Sequence, residues 1–242
     1  MKGMETADTV HRDCAFLLLT EACNLRCAHC YVSAEPGVGR HMPMATVASA
    51  FALLKSAGIS DIRFTGGEPT VHPQFNAIVE LGERHRFRLG LVSNGVRFIR
   101  KIDAAHFLGR FSRTWISVYG LTQRSHERVG GTAAIPLYEI LERVGAIAHG
   151  GKWIGVSAVF NVGEERAVAD FICAAASFGV RKLRLLPIQP DGRMLDQSQP
   201  SWVQWPLEIK RVANIMRQHP NAWDFEVLTI NDSFNVSNSY SH

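Results

Sequence analysis

Residues 14–31 read CAFLLLTEACNLRCAHCY: a short apolar run, Cys14–Thr20, then three cysteines within eight residues, Cys23, Cys27 and Cys30. The run is apolar almost throughout, as a strand covered on both faces should be. The cysteine segment then begins at the strand's C-terminal end. Further strands are expected at Ile62–Thr65, Arg88–Ser93, Trp115–Tyr119, Trp153–Phe160 and Lys182–Pro187. Helical patterns lie between them at Ala45–Ala57, Pro73–Arg86, Ile99–Leu108, Pro136–His149 and Glu164–Phe178, with one more around Pro206–Gln218. Strand and helix alternate about six times, which predicts an α/β chain with a parallel sheet and right-handed crossovers. A partial (β/α)6 barrel of parallel strands with outer helices fits better than a closed (β/α)8 barrel, which typically takes ~250 residues. An open, doubly wound sheet satisfies the same periodicity.

Residues 1–193 are expected to form this barrel domain. Residues 194–242 are expected to form a C-terminal extension packed on it: a helix, a short strand at 225–230 (FEVLTI) and a loosely held polar tail. Trp202, Trp205 and Trp223 read as packing of that extension on the sheet.

With 242 residues, 46% hydrophobic and 20% charged, the chain has an ordinary globular balance that excludes disorder and collagen-like repeats. It is long enough to bury a core without a metal or disulfide staple, so a metal site in it would serve function. No run approaches ~18 apolar residues, and the opening MKGMETADTV has no apolar signal core. A cytoplasmic protein with no membrane partner is expected. The net charge of +4 (26 − 22) is spread along the chain and gives no nucleic-acid footprint.

Five cysteines exclude a complete disulfide framework. Cys173 reads as a buried small hydrophobe in mid-helix. Cys14, six residues before Thr20, would stand about 20 Å from the cysteine segment's end of the sheet. The other three, spaced C-x3-C-x2-C, can wrap a compact loop around one inorganic cluster. Three ligands on a four-iron cube leave one iron open to a substrate or cofactor. A zinc knot with His29 as fourth ligand is the alternative, but neighbouring residues seldom both reach one tetrahedral ion.

The segment CNLRCAHCY (23–31) resembles the signature of the radical S-adenosylmethionine (radical SAM) superfamily. The resemblance continues through TGGEP (65–69), SNG (93–95), SVYG (117–120), HERVG (126–130) and LPIQPDGR (186–193), each at or after the end of an expected strand. It implies one 4Fe–4S cluster held by Cys23, Cys27 and Cys30, with S-adenosylmethionine chelating the fourth iron. It further implies that an external one-electron donor of flavodoxin or ferredoxin type reduces the cluster. Cleavage of S-adenosylmethionine then gives a 5′-deoxyadenosyl radical that takes a hydrogen atom from the substrate.

Site residues follow from the same resemblance. Gly66 and Gly67 let backbone approach the cofactor, and Glu68 accepts from its α-ammonium. His29 lies near the adenine. Ser117 hydrogen-bonds the ribose, with Asn94 a second contact to ribose or substrate. Arg128 faces the methionyl carboxylate. Leu186 to Ile188 present backbone to the adenine edge. Tyr119 is placed on the substrate side as the catalytic candidate, beside His72, Gln189 and Arg193 at the barrel mouth.

No cysteine follows Cys173, so no second cysteine-ligated cluster is expected. This compact form is similar to members that modify peptides, small natural products or metabolites. Alternatives are an activating enzyme for a glycyl-radical protein and a non-catalytic metal-binding or electron-transfer protein.

Overall fold

The computed structural model describes residues 14–160, 164–187, 192–194, 224–225, 227–229 and 236–238. Six parallel strands carry the fold: β1 (Cys14–Thr20), β2 (Asp61–Gly66), β3 (Arg88–Ser93), β4 (Arg113–Val118), β5 (Ile154–Phe160) and β6 (Lys182–Pro187). Between them run α1 (Met44–Ser56), α2 (Phe75–Arg84), α3 (Ala104–Leu108), α4 (Gln123–Gly130), α5 (Leu137–His149) and α6 (Glu165–Ser177). The strands pair in strict chain order, all parallel. A doubly wound sheet would reverse its order at a switch point. Unbroken order with one crossover hand keeps every helix on one face and curls the sheet into a partial barrel.

Alternation along the strands separates the two faces. Ile62 and Phe64 of β2 are fully buried, and the Phe64 ring packs on Phe51 of α1 and Phe75 of α2 at 6.4 and 6.2 Å. The opposite parity points away from the helices. There the Arg63 guanidinium lies over Phe16 at 5.4 Å. Arg113 lies over Trp153 at 5.5 Å, Trp153 meets Trp115 edge-on at 5.1 Å, and Arg184 lies over Trp115 at 4.1 Å. Guanidinium and indole thus alternate across the inner wall, where each cation gains from a ring face.

Several elements differ from expectation. Helix α4 has too few apolar residues to show a helical period. It is instead started by a capping box, in which Thr122 Oγ1 accepts from Ser125 N–H (3.1 Å) and Ser125 Oγ from Thr122 N–H (3.1 Å). The helix expected from Ile99 is regular only over α3. Cys173 is exposed, because Val168, Phe171, Ile172 and Ala175 take the buried stripe of α6.

The sheet continues past β6: β7 (Asp224–Phe225) pairs parallel to it, and β8 (Val227–Thr229) with β9 (Val236–Asn238) forms a separate antiparallel pair. The Pro206–Gln218 helix, Ile188, Gln189, Trp202, Trp205 and Trp223 lie outside the described residues. Among the described residues no helix is long and apolar enough to cross a membrane.

Candidate functional site

The cysteine loop leaves β1 at Thr20 and is laid directly on the end of β2. Gly67 N–H donates to Thr20 O (2.7 Å) and Glu68 N–H to Ala22 O (2.9 Å). A Cβ on Gly66, whose φ is +136°, would stand 2.4 Å from Thr20 O, and one on Gly67 would stand 2.2 Å from Ala22 O. Both contacts are with backbone and cannot give. The two glycines therefore admit the cysteine loop itself, where the sequence suggested that they admit the cofactor.

Glu68 is fully buried at this junction. Its Oε1 accepts from Thr70 N–H (3.1 Å), Thr70 Oγ1 (2.6 Å) and Ser93 Oγ (2.8 Å), and its Oε2 accepts from Asn94 N–H (2.8 Å). Burial pushes the carboxyl up, and these four donors pull it back toward the ionised form. Only Oε2 keeps a lone pair for a further cation.

Asn94 is committed as well. Its Nδ2 donates to Asn24 Oδ1 (2.7 Å) and toward Cys23 Sγ (3.7 Å), while its Oδ1 accepts from Val96 N–H (3.0 Å). Asn94 thus braces the cysteine loop from the end of β3. Asn24 was missed by sequence reading, since nothing local marks it as the partner of a residue 70 positions away. A further tie comes from α4, where Val129 O accepts from Ala28 N–H (3.0 Å).

Within the loop, Leu25 N–H donates to Cys23 Sγ and Ala34 N–H to Cys30 Sγ, each at 3.3 Å. Cys27 is buried, and burial pushes its thiol up to about 12; the Cys23 thiol is raised for the same reason. The Cys23 and Cys27 thiols are thus held protonated, and ligation must displace their protons.

Tyr119 follows β4 and is buried, 8% exposed. Its hydroxyl lies beside the Cys27 sulfur. Its ring lies between His29 (5.4 Å) and His126 (5.3 Å, stacked). It packs with Leu25, Cys27 and Val129 against the cysteine loop. His126 is held by Tyr119 N–H on Nδ1 (3.1 Å) and by Ile135 O at Nε2 (2.8 Å). His29 Nδ1 is buried with no hydrogen-bond partner, and desolvation pushes the ring down to about 4, so it is neutral at pH 7.

The remaining expected residues fall as follows. Ser117 lies half-buried on the inner wall, paired in register with Ser157 of β5. Leu186 is half-buried on β6. Arg128 is exposed in the last turn of α4. His72 is buried away from the mouth, with Nε2 at Met42 O (3.0 Å) and Nδ1 accepting from Gln74 N–H (3.0 Å). The Arg193 guanidinium reaches the cysteine loop, donating to Cys27 O (2.6 Å) and Ala34 O.

Whether this loop fits a 4Fe–4S cluster can be judged from its donors. Cys23, Cys27 and Cys30 are free thiols, two already receiving an N–H. Among the described residues no three His, Cys, Asp or Glu side chains converge on a single-ion site. Thiols set around a loop without converging suit a multi-iron cluster better than one tetrahedral zinc. The orphaned His29 nitrogen beside them is a donor or acceptor left for a bound group. The residues fit.

The chain matches the Radical SAM superfamily over residues 17–159. It is 25% identical to mycofactocin maturase MftC of Mycobacterium tuberculosis over 179 residues, covering 74% of this chain and 45% of the relative. It is 33% identical to GTP 3',8-cyclase of Chlorobaculum tepidum over 90 residues, covering 36% of this chain and 27% of the relative. Among solved structures it is similar to Streptococcus suis SuiB bound to S-adenosylmethionine (TM-score 0.72, 13% identity, 89% of this chain and 50% of that one). It is also similar to anSMEcpe with bound AdoMet and a Cp18Cys peptide (TM-score 0.69, 14% identity, 88% and 63%). The chain thus spans about half the length or less of the curated relatives cited. Its match across strands β1 to β5, joined to the three-thiol loop at their C-terminal edge, makes it a member of the radical SAM superfamily, whose cofactors are a 4Fe–4S cluster and S-adenosylmethionine.

Proposed function

We propose that this protein is a radical enzyme that removes a hydrogen atom from a peptide substrate. The observation that carries the reading is the cysteine loop: three free thiols on a segment tied to the ends of β2 and β3 and to α4 by hydrogen bonds. Bound together, the cluster and S-adenosylmethionine supply a 5′-deoxyadenosyl radical. The chain's own part is to hold, orient and dry that pair. Cys23, Cys27 and Cys30 ligate iron, and the remaining Glu68 lone pair faces the α-ammonium. Ser117 takes the ribose, Arg128 the carboxylate, and Leu186 with Ile188 the adenine edge. The His29 Nδ1 gains the partner it lacks. A soluble one-electron donor of flavodoxin or ferredoxin type in the cytoplasm completes the system.

The peptide assignment is supported by the maturase relative and by SuiB, whose structure with its precursor peptide SuiA is similar over 93% of this chain. The stretch that is 33% identical to a GTP cyclase favours a nucleotide as the second reading. Reconstituted protein with dithionite and S-adenosylmethionine should release 5′-deoxyadenosine. With deuterium-labelled synthetic precursor peptide, label should appear in that product; label arriving from deuterated GTP instead refutes the peptide reading. Production of S-adenosylhomocysteine alone refutes the radical reading.

A further inference from the structure

We propose that Arg193 is a positioning residue that clamps the cysteine loop across the open side of the barrel and sets a fixed positive charge beside the cluster. The inference rests on Cys23, Cys27 and Cys30 being the iron ligands. Strands β1 and β6 do not pair, and β2 to β5 lie between them. Their following loops nevertheless meet. Arg193 Nη1 donates to Cys27 O (2.6 Å), Nη2 donates to Ala34 O, and the Arg193 N–H donates to Cys30 O (3.2 Å). Gly192, at φ +59°, makes the approach possible: a Cβ there would stand 2.2 Å from Cys30 O and 2.5 Å from Tyr31 O.

The fork matters because two diverging N–H groups of one rigid plane fix two carbonyls at once. Those carbonyls stand on either side of the Cys30 turn, so the span that must curve around a cluster is held at both ends. The other ties of the loop come from β2, β3 and α4; Arg193 supplies the hold from the segment after β6. Its guanidinium sits against the Cys27 carbonyl, so a fixed positive charge stands beside the cysteine loop. With iron bound, the same charge favours the more negative, reduced cluster and so raises its potential.

The test compares wild type, R193K and R193M as reconstituted full-length proteins. Two quantities are read: the rate of iron loss to a chelator, and the midpoint potential from a redox titration followed by electron paramagnetic resonance. R193M should lose iron roughly tenfold faster, as expected when bonds to a charged donor are removed, and its potential should move negative. R193K should keep a potential near that of wild type and still lose iron faster, because an ammonium cannot span both carbonyls. Wild-type rates of iron loss in R193K and R193M overturn the clamp, and an unmoved potential in R193M overturns the charge. Should R193M fail to fold by circular dichroism, R193K alone decides the clamp, and R193Q decides the charge. A C27S control separates the premise: full iron content in C27S refutes the ligand assignment, independently of Arg193.

Discussion

Replacing Glu68 with glutamine tests whether this carboxylate is the hub that joins β2, β3 and the cysteine loop. All four of its partners donate: two backbone N–H groups and two hydroxyls. A carboxamide offers one oxygen and one NH2. In its better orientation the oxygen keeps the three donors at Thr70 and Ser93, and the NH2 faces the Asn94 N–H. One hydrogen bond to a charged acceptor is lost, worth about 1.5–3 kcal/mol, and a buried N–H is left without a partner at about 1–3 kcal/mol. These costs overlap, so about 3 kcal/mol is expected. For a chain of this size about 2–4 °C of melting temperature corresponds to each kcal/mol, giving a fall of roughly 6–12 °C. Circular dichroism melts of the cluster-free protein at neutral pH measure this with no cofactor present. A melting temperature within about 2 °C of wild type would refute the argument. It would mean that burial has won over the four donors and that the carboxyl is already protonated, a state the amide mimics.

Exchanging Cys23, Cys27 and Cys30 together for alanine should leave a folded protein without iron, since the buried core of β2 to β6 does not involve them; wild type should bind about four irons, and a count near eight would contradict a single cluster. Tyr119→Phe removes the hydroxyl on the Cys27 sulfur, so the cluster midpoint should shift negative while affinity for S-adenosylmethionine is unchanged, read by redox titration and by cofactor titration. His29 gives a pH signature. Its native pKa of about 4 lies below the ordinary 6.5, so the unfolded chain takes up the proton first. Its contribution is therefore complete above about pH 6.5 and is lost as pH falls toward about 4. Cluster-free His29→Phe should show a shallower loss of stability across that window in urea titrations, with His72 and His126, also lowered by burial, supplying the slope that remains.

Strand–helix alternation and the position of each motif were legible in the sequence because both depend on local pattern. Apolar runs of strand length mark β1 to β6. Three cysteines in one short span announce metal chemistry without reference to anything distant. Barrel and doubly wound sheet could not be told apart, because strand order is a property of pairing between segments and leaves no local trace. Helix α4 escaped for the related reason that its capping box, and not an apolar stripe, starts it.

The division runs through the site itself. Residue type and spacing singled out Cys23, Cys27 and Cys30 as candidate ligands and placed Gly66, Gly67 and Glu68 at the neighbouring strand end. What the other polar residues do was decided by tertiary contact. Asn94, Tyr119 and Arg193 read as groups facing a ligand, yet each turns to the cysteine loop. The physical reason is that a loop of this kind carries backbone groups and sulfurs that must be satisfied when it is buried. Their partners come from strands up to 166 residues away along the chain. Only folding brings those partners within hydrogen-bond reach, so the sequence could name the candidate ligands while the three-dimensional structure alone named what holds their loop.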